Sequence, residues 1–317
     1  MVKDLHKLPP SVLNRLKHIV LIGISFMLLS QCNYESDPVD PTIHQLIFPN
    51  EGETLIQGNT YPIRWEDDRS TSFRIRLLKS GSTYIRISDE ALNTGEFNWT
   101  IPDSLEEDGA YSIKVYSNDD DFIYYESALT FKILKPGEKA TFTDTRDGQI
   151  YEIVKLDKRW WMAENFRFDT VGSYCYNNDP SNCEVFGRLY TQGTAKMAAP
   201  SGWHLPTDYE WRTMEKYLGI PEDELFAPGF RGVNAGYLLS AEDGIGFKAK
   251  FSGYKYYRWV DRYYSLNASA YFWTSSYDDS QSSYWARQLT SISGGIERAK
   301  MSGGQYAFSV RYIKDEE

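Results

Sequence analysis

The sequence predicts two domains in series, an all-β sandwich followed by an α+β domain. Three observations carry this. Apolar residues alternate with polar ones at period two through residues 43–134, which buries one face of each strand and wets the other. Lys135-Pro136-Gly137-Glu138-Lys139 then breaks the pattern, and Pro-Gly with flanking charges reads as a linker over 135–140. From Thr141 onward the alternation gives way to mixed segments, among them a strongly signalled helix after Thr207.

Ahead of both domains, Lys3, Lys7, Arg15 and Lys17 form a basic leader, and Ile19 to Leu29 is an apolar run of eleven residues. That is too short to span a bilayer and fits a secretory signal over residues 1–31. Leu29-Ser30-Gln31-Cys32 resembles a bacterial lipobox, although Gln31 departs from the small residue usual before the cysteine. The resemblance implies acylation of Cys32 as the new N-terminus, with residues 32–42 as tether and the membrane as partner through that lipid. The expected location is the outer membrane, on its cell-surface or periplasmic face.

Removing the signal leaves residues 32–317, enough for about two ordinary domains. The formal charge of −10 moves to about −13 as four Lys/Arg and Asp4 leave with the signal. A chain this acidic is repelled by nucleic acid, so no nucleic-acid partner is expected. The 24 Tyr and 9 Trp suit half-buried β faces, and they also suit carbohydrate stacking.

Within the sandwich, Ile63 and Trp65 alternate with polar residues, as do Phe73, Ile75 and Leu77, then Phe97, Trp99 and Ile101. Tyr111, Ile113 and Val115 continue the pattern, and Leu129, Phe131 and Ile133 close it. Asn50-Glu51-Gly52, Lys79-Ser80-Gly81 and Asn93-Thr94-Gly95 supply turns. Six or seven strands in about 90 residues point to an immunoglobulin or fibronectin type of sandwich. Here its core rests on Trp65, Trp99 and the Ile/Phe positions, with no cysteine pair to staple it.

In the second domain, Cys175 and Cys183 flank Asn177-Asn178-Asp179-Pro180, a turn signal. In an oxidising compartment such a pair reads as a disulfide, stabilising by roughly 2–3 kcal/mol on the loop-entropy estimate. Two thiols without an adjacent histidine do not supply the four ligands of a zinc site. Thr207-Asp208-Tyr209-Glu210 reads as a capping box, with Trp211, Met214 and Leu218 as the apolar stripe and Gly219 as the stop. His204, just before this cap, reads as a hydrogen-bonded structural residue.

Two resemblances extend these readings. Ile47-Phe48-Pro49-Asn50, Tyr61-Pro62-Ile63-Arg64-Trp65, Gly95-Glu96-Phe97-Asn98-Trp99 and Tyr111-Ser112-Ile113-Lys114-Val115 resemble the sandwich domain of yeast cell-wall glucan-associated proteins. The second rests on Trp160-Trp161-Met162-Ala163-Glu164-Asn165, Gly187-Arg188-Leu189-Tyr190, Gly202-Trp203-His204-Leu205-Pro206, Phe272-Trp273-Thr274-Ser275-Ser276 and Phe308-Ser309-Val310-Arg311. Over residues 141–317 this series resembles the Fibrobacter succinogenes major paralogous domain, which implies a C-type lectin-like fold. Tyr312 departs from the family, which often carries a cysteine after Val-Arg.

For function, the chain past the signal holds only His44 and His204, in different domains, and no His-Glu-x-x-His, Gly-x-Ser-x-Gly or phosphate-loop motif. No enzyme activity and no cofactor are expected. The calcium-binding sugar motifs of C-type lectins, Glu-Pro-Asn, Gln-Pro-Asp and Trp-Asn-Asp, do not occur. Asn118-Asp119-Asp120-Asp121 reads as a solvated acidic turn in preference to a cation site. The ligand-binding candidates are Tyr256, Tyr257, Arg258, Trp259, Asp261, Arg262, Tyr263 and Tyr264, where rings that stack on sugars are interleaved with hydrogen-bonding groups. The plainer reading of that tract, a hairpin whose rings alternate between core and surface, is the favoured one. The expected function is glycan or extracellular-polymer binding at the cell surface; the alternative is an adhesive protein that binds another protein.

Overall fold

The structure is a computed structural model that describes residues 44–316. Cys32, the signal 1–31 and the tether 32–42 lie outside the described residues.

The sandwich opens with Gln45–Phe48, Thr60–Glu66 and Glu96–Thr100, which form a three-stranded antiparallel sheet. Facing it is a six-stranded sheet ordered Thr54–Ile56, Phe131–Leu134, Asp108–Ser117, Ser72–Lys79 and Ser82–Leu92, with Tyr124–Glu126 paired to Asp108–Ser117. The alternating residues meet between the sheets: Ile63, Trp65, Phe73, Ile75, Leu77, Trp99, Tyr111, Ile113, Val115, Phe131 and Ile133 are all buried in one cluster. Trp65 packs edge-on to Phe73 at 5.3 Å across the gap. Ser80 and Gly81 both take positive φ, 51° and 77°, the geometry that a two-residue hairpin needs to match strand twist.

One expectation is corrected here, and one strand is added to those expected. Leu129 is 58 % exposed and precedes its strand, because Ser127 and Ala128 still bond the 49–50 turn. Ser82–Leu92 is a strand of eleven residues that shows little apolar alternation. It is the sheet edge, pairing only with Ser72–Lys79, and its polar surface suits that position.

Instead of a free linker over 135–140, the strand Glu138–Thr143 begins inside that segment. The three residues before it are held by Lys135 N–H donating to Glu107 (2.9 Å) and Gly137 N–H donating to the Ile245 carbonyl (3.1 Å). The two expected domains also share a core. Ile56 and Leu134 of the sandwich are buried in the same cluster as Leu218, Ile220, Leu238 and Phe247. Thr54 Oγ1 donates to the Leu218 carbonyl (2.9 Å), and Asn234 exchanges two hydrogen bonds with the Thr54 backbone (3.0 and 2.7 Å). Residues 44–316 accordingly belong to one compact unit.

The C-terminal part holds two sheets and four short helices. A five-stranded sheet runs Glu138–Thr143, Ile150–Leu156, Arg159–Met162, Ile313–Lys314, Trp203–His204, so the last strand returns beside the first ones. The larger sheet is ordered Ser173–Tyr174, Leu189–Thr191, Tyr306–Phe308, Ser252–Tyr256, Ser269–Asp278, Ser283–Thr290, Ser293–Met301, Gly229–Arg231, with Arg262–Leu266 paired to Ser252–Tyr256. The helices are Pro180–Phe186, Gln192–Met197, Asp208–Tyr217 and Ala235–Ser240. Both halves of the Thr207/Glu210 capping box form, and Trp211, Met214 and Leu218 are buried. Cys175 and Cys183 are disulfide-bonded. Asn177 and Asn178 make the left-handed turn between them, and Asp179 caps the helix that carries Cys183.

Candidate functional site

The aromatic tract folds as a hairpin, and strand alternation divides it. Tyr254, Tyr256, Arg262 and Tyr264 lie on one face; Lys255, Tyr257 and Tyr263 lie on the other. Gly253 pins the hairpin: its φ is +64°, and a Cβ there would collide with the Tyr264 carbonyl.

The second face is a packing surface, which corrects the expectation for Tyr257 and Tyr263. Tyr263 donates to Asn178 Oδ1 (2.6 Å) and lies 5.1 Å from the Tyr176 ring. Lys255 is 3 % exposed, with its ammonium 4.0 Å from the Tyr174 ring centroid and paired to Asp261 at 2.6 Å. Tyr257 donates to the Gly303 carbonyl (3.1 Å). Asp261 is thereby engaged in holding Lys255. At the tip, Trp259 is 75 % exposed and carries the Arg258 guanidinium 4.9 Å from its ring centroid. The eight candidates therefore do not form one surface.

The first face continues into a row that crosses the sheet. Tyr264 stacks on Tyr254 at 5.3 Å, and Tyr254 meets Tyr271 edge-on at 5.0 Å. Tyr271 is in register with Gln288, Gln288 with Glu297, and Glu297 with Phe230. Directly paired residues point to the same side, so six side chains from six strands line up over about 24 Å at the usual strand spacing. Phe230 and Tyr264, at its two ends, are exposed, and the four between are half-buried. Tyr306 widens the row, 5.9 Å from Tyr254 and 5.3 Å from Tyr256.

The polar centre of the row has its own electrostatics. Glu297 makes no hydrogen bond or ion pair among the described residues, and burial raises its pKa. The Tyr271 phenol is pushed up to about 12, first by burial and then by neighbouring Tyr254 and Glu297. Gln288 donates to Ser269 Oγ at 3.3 Å. Of this row, the sequence candidates include Tyr264 alone. Phe230, Tyr254, Tyr271, Gln288 and Glu297 are not among them, because only strand pairing brings these residues together.

Elsewhere, Asp119, Asp120 and Asp121 are engaged with Thr71, the Phe122 N–H and Arg74 respectively. Among the described residues no group of three or more His, Cys, Asp or Glu is placed to hold a metal ion.

Comparison with known families falls on this same architecture. The Fibrobacter succinogenes major domain matches residues 154–314, just over half the chain and the whole of the larger sheet. The chain belongs to this family. The Kre9/KNH-like N-terminal Ig-like domain matches residues 48–133, the sandwich. No curated protein matches the chain.

In this major domain the Trp-His segment and the capped helix act together. His204 sits between Glu210 (Nε2 to Oε1, 2.9 Å) and Asp315 (Nδ1 to Oδ1, 2.5 Å). Its pKa is raised above the ordinary 6.5, first by Glu210 and then by Asp315, against the effect of burial. A raised folded-state value means the stabilisation is complete below about pH 6.5 and is lost as pH climbs through the folded pKa. We expect the melting temperature to fall modestly from pH 6 to pH 8.5, and His204→Gln to flatten that slope. A slope unchanged in the variant would assign the pH dependence to another group.

Proposed function

We propose that this chain is a bacterial surface protein, anchored by lipid on Cys32, that binds glycan or a related extracellular polymer through its C-terminal domain. The observation that carries the reading is the accessible row Phe230–Glu297–Gln288–Tyr271–Tyr254–Tyr264. It offers ring faces at both ends, and carboxylate, amide and phenol groups between, the combination that stacks on sugar rings while hydrogen-bonding their hydroxyls. Mixed sheets with four short helices and long loops agree with a C-type lectin-like fold, and the row would serve there without calcium. The Kre9/KNH-like sandwich is consistent with a place at a cell wall or surface, holding the major domain away from the lipid. The reading is of a binding protein with no catalytic role and no cofactor.

The test is a glycan array probed with the full-length protein in detergent, with and without calcium. We expect glycan signals that survive chelation. Tyr264→Ala should weaken them roughly tenfold while leaving the melting temperature within about 2 °C, since this ring is stacked on the surface. Absence of any glycan signal, with capture of a protein ligand instead, would replace this reading by the adhesive one.

A further inference from the structure

Glu297 is a carboxylate without a hydrogen-bond or ion-pair partner among the described residues. The other half-buried or buried acids of the larger domain are engaged: Asp208 by Arg287 and Arg298, Glu215 by Arg231 and Arg287, Glu210 by His204 and Thr207. A partly desolvated carboxylate without a counter-charge is costly, and a ligand that supplies one recovers the difference. Its flanks are Phe230 on one side and, beyond Gln288, Tyr271 on the other. Aromatic faces attract cations as well as sugar rings. On the same face, Arg262 lies paired with Tyr256 at the opposite end of the row.

We propose that the row binds a glycan bearing free amino groups, with Glu297 pairing the ammonium and the flanking rings stacking on the sugars. This rests on the glycan reading above and narrows it to polycationic amino sugars. The chain's net charge of −10 favours attraction of such a polymer over a neutral or anionic one. A basic peptide would satisfy the charge but not the geometry. Glu297, Gln288, Tyr271 and Tyr254 lie on interior strands whose backbone groups are already paired, so no strand can be added there and recognition must come from side chains alone.

The test titrates the full-length protein calorimetrically with three oligosaccharides of one length: a glucosamine oligomer with free amines, its N-acetylated form, and a glucose oligomer. Oligolysine is the fourth probe. We expect the free-amine oligomer to bind at least tenfold tighter than the other two sugars at low salt. Glu297→Gln should erase that preference, and Tyr264→Ala should weaken all three sugars alike. Because Glu297 makes no hydrogen bond or ion pair among the described residues, its variant should keep the wild-type melting temperature. Equal affinity for the three sugars, or a preference unchanged in Glu297→Gln, would overturn the amino-sugar assignment while leaving glycan binding intact. Oligolysine binding as tightly as the amine oligomer would also overturn it. Failure of all three sugars would remove the glycan reading itself.

Discussion

Replacing Glu215 by leucine should destabilise the fold by about 3–5 kcal/mol, the cost of leaving buried charges without their partner. Glu215 is fully buried, and its Oε1 accepts from Arg231 Nη2 (3.0 Å) and Arg287 Nε (2.5 Å). Neither arginine reaches solvent, at 3 % and 0 % exposed. Arg287 passes the network on to Asp208 (2.9 Å), which Arg298 grips with two bonds of 2.9 Å and Arg212 touches at 3.1 Å. Arg298 and Arg287 hold the Asp208 carboxyl down to about 2 against the opposing effect of burial. Four guanidinium groups thus share two carboxylates, so removing one carboxylate unbalances a site already rich in positive charge. For a unit of this size the melting temperature should drop on the order of 10 °C. The double variant Glu215→Leu/Arg287→Met should recover a large part of the loss. A single variant that melts within about 2 °C of wild type would show that the network contributes little to folding.

That network also explains why part of the fold was illegible in the sequence. Arg287 stands between Trp285 and Leu289 on the inward face of its strand, where alternation alone places apolar residues. Charged residues in strands ordinarily mark the wet face, and only the partner helix Asp208–Tyr217 reverses that rule here. The sandwich posed no such problem: its core alternates cleanly, and Ile63, Trp65, Phe73 and Tyr111 are buried as their spacing requires. Ser82–Leu92 escaped notice because an edge strand need not hide a face. Ile56 and Leu134 look like ordinary strand residues, yet they seal the contact with the second domain. The capping box and the disulfide were readable because each is local, closing over three and eight residues. The binding row was not, since its registers join residue 230 to 297 and 271 to 288. A hairpin tract advertises its own rings but not the strands that will lie beside it.

The second large effect is expected at Arg311, where two motifs that are remote in sequence meet. Arg311 is 1 % exposed and forms no ion pair among the described residues. Its Nε donates to Asn165 Oδ1 (2.7 Å), Nη1 to the carbonyls of Met162 (3.1 Å) and Phe247 (2.7 Å), and Nη2 to the Lys248 carbonyl (2.9 Å). The guanidinium also lies 4.6 Å from the Phe247 ring centroid. Burial pulls its pKa down to about 9. Four acceptors from two segments, 162–165 and 247–248, therefore depend on one side chain that ties them, Met162 and Asn165 near the start of the major domain, to its last residues. Arg311→Met would fill similar volume but orphan all four, at about 1–3 kcal/mol for each buried acceptor left unpaired. A total of at least about 4 kcal/mol is expected, enough to melt or nearly melt the domain. Arg311→Lys should rescue little, because an ammonium has three donors at one point and cannot span a fork of four acceptors. Thermal unfolding followed by circular dichroism would decide it. If Arg311→Lys melts with wild type, the fork geometry is dispensable and charge alone suffices. If Arg311→Met also does, the motif has little bearing on stability, and the junction of first and last segments rests on its other bonds: the Arg159–Met162 and Ile313–Lys314 pairing, Phe166 N–H to the Val310 carbonyl and Arg159 to Glu316.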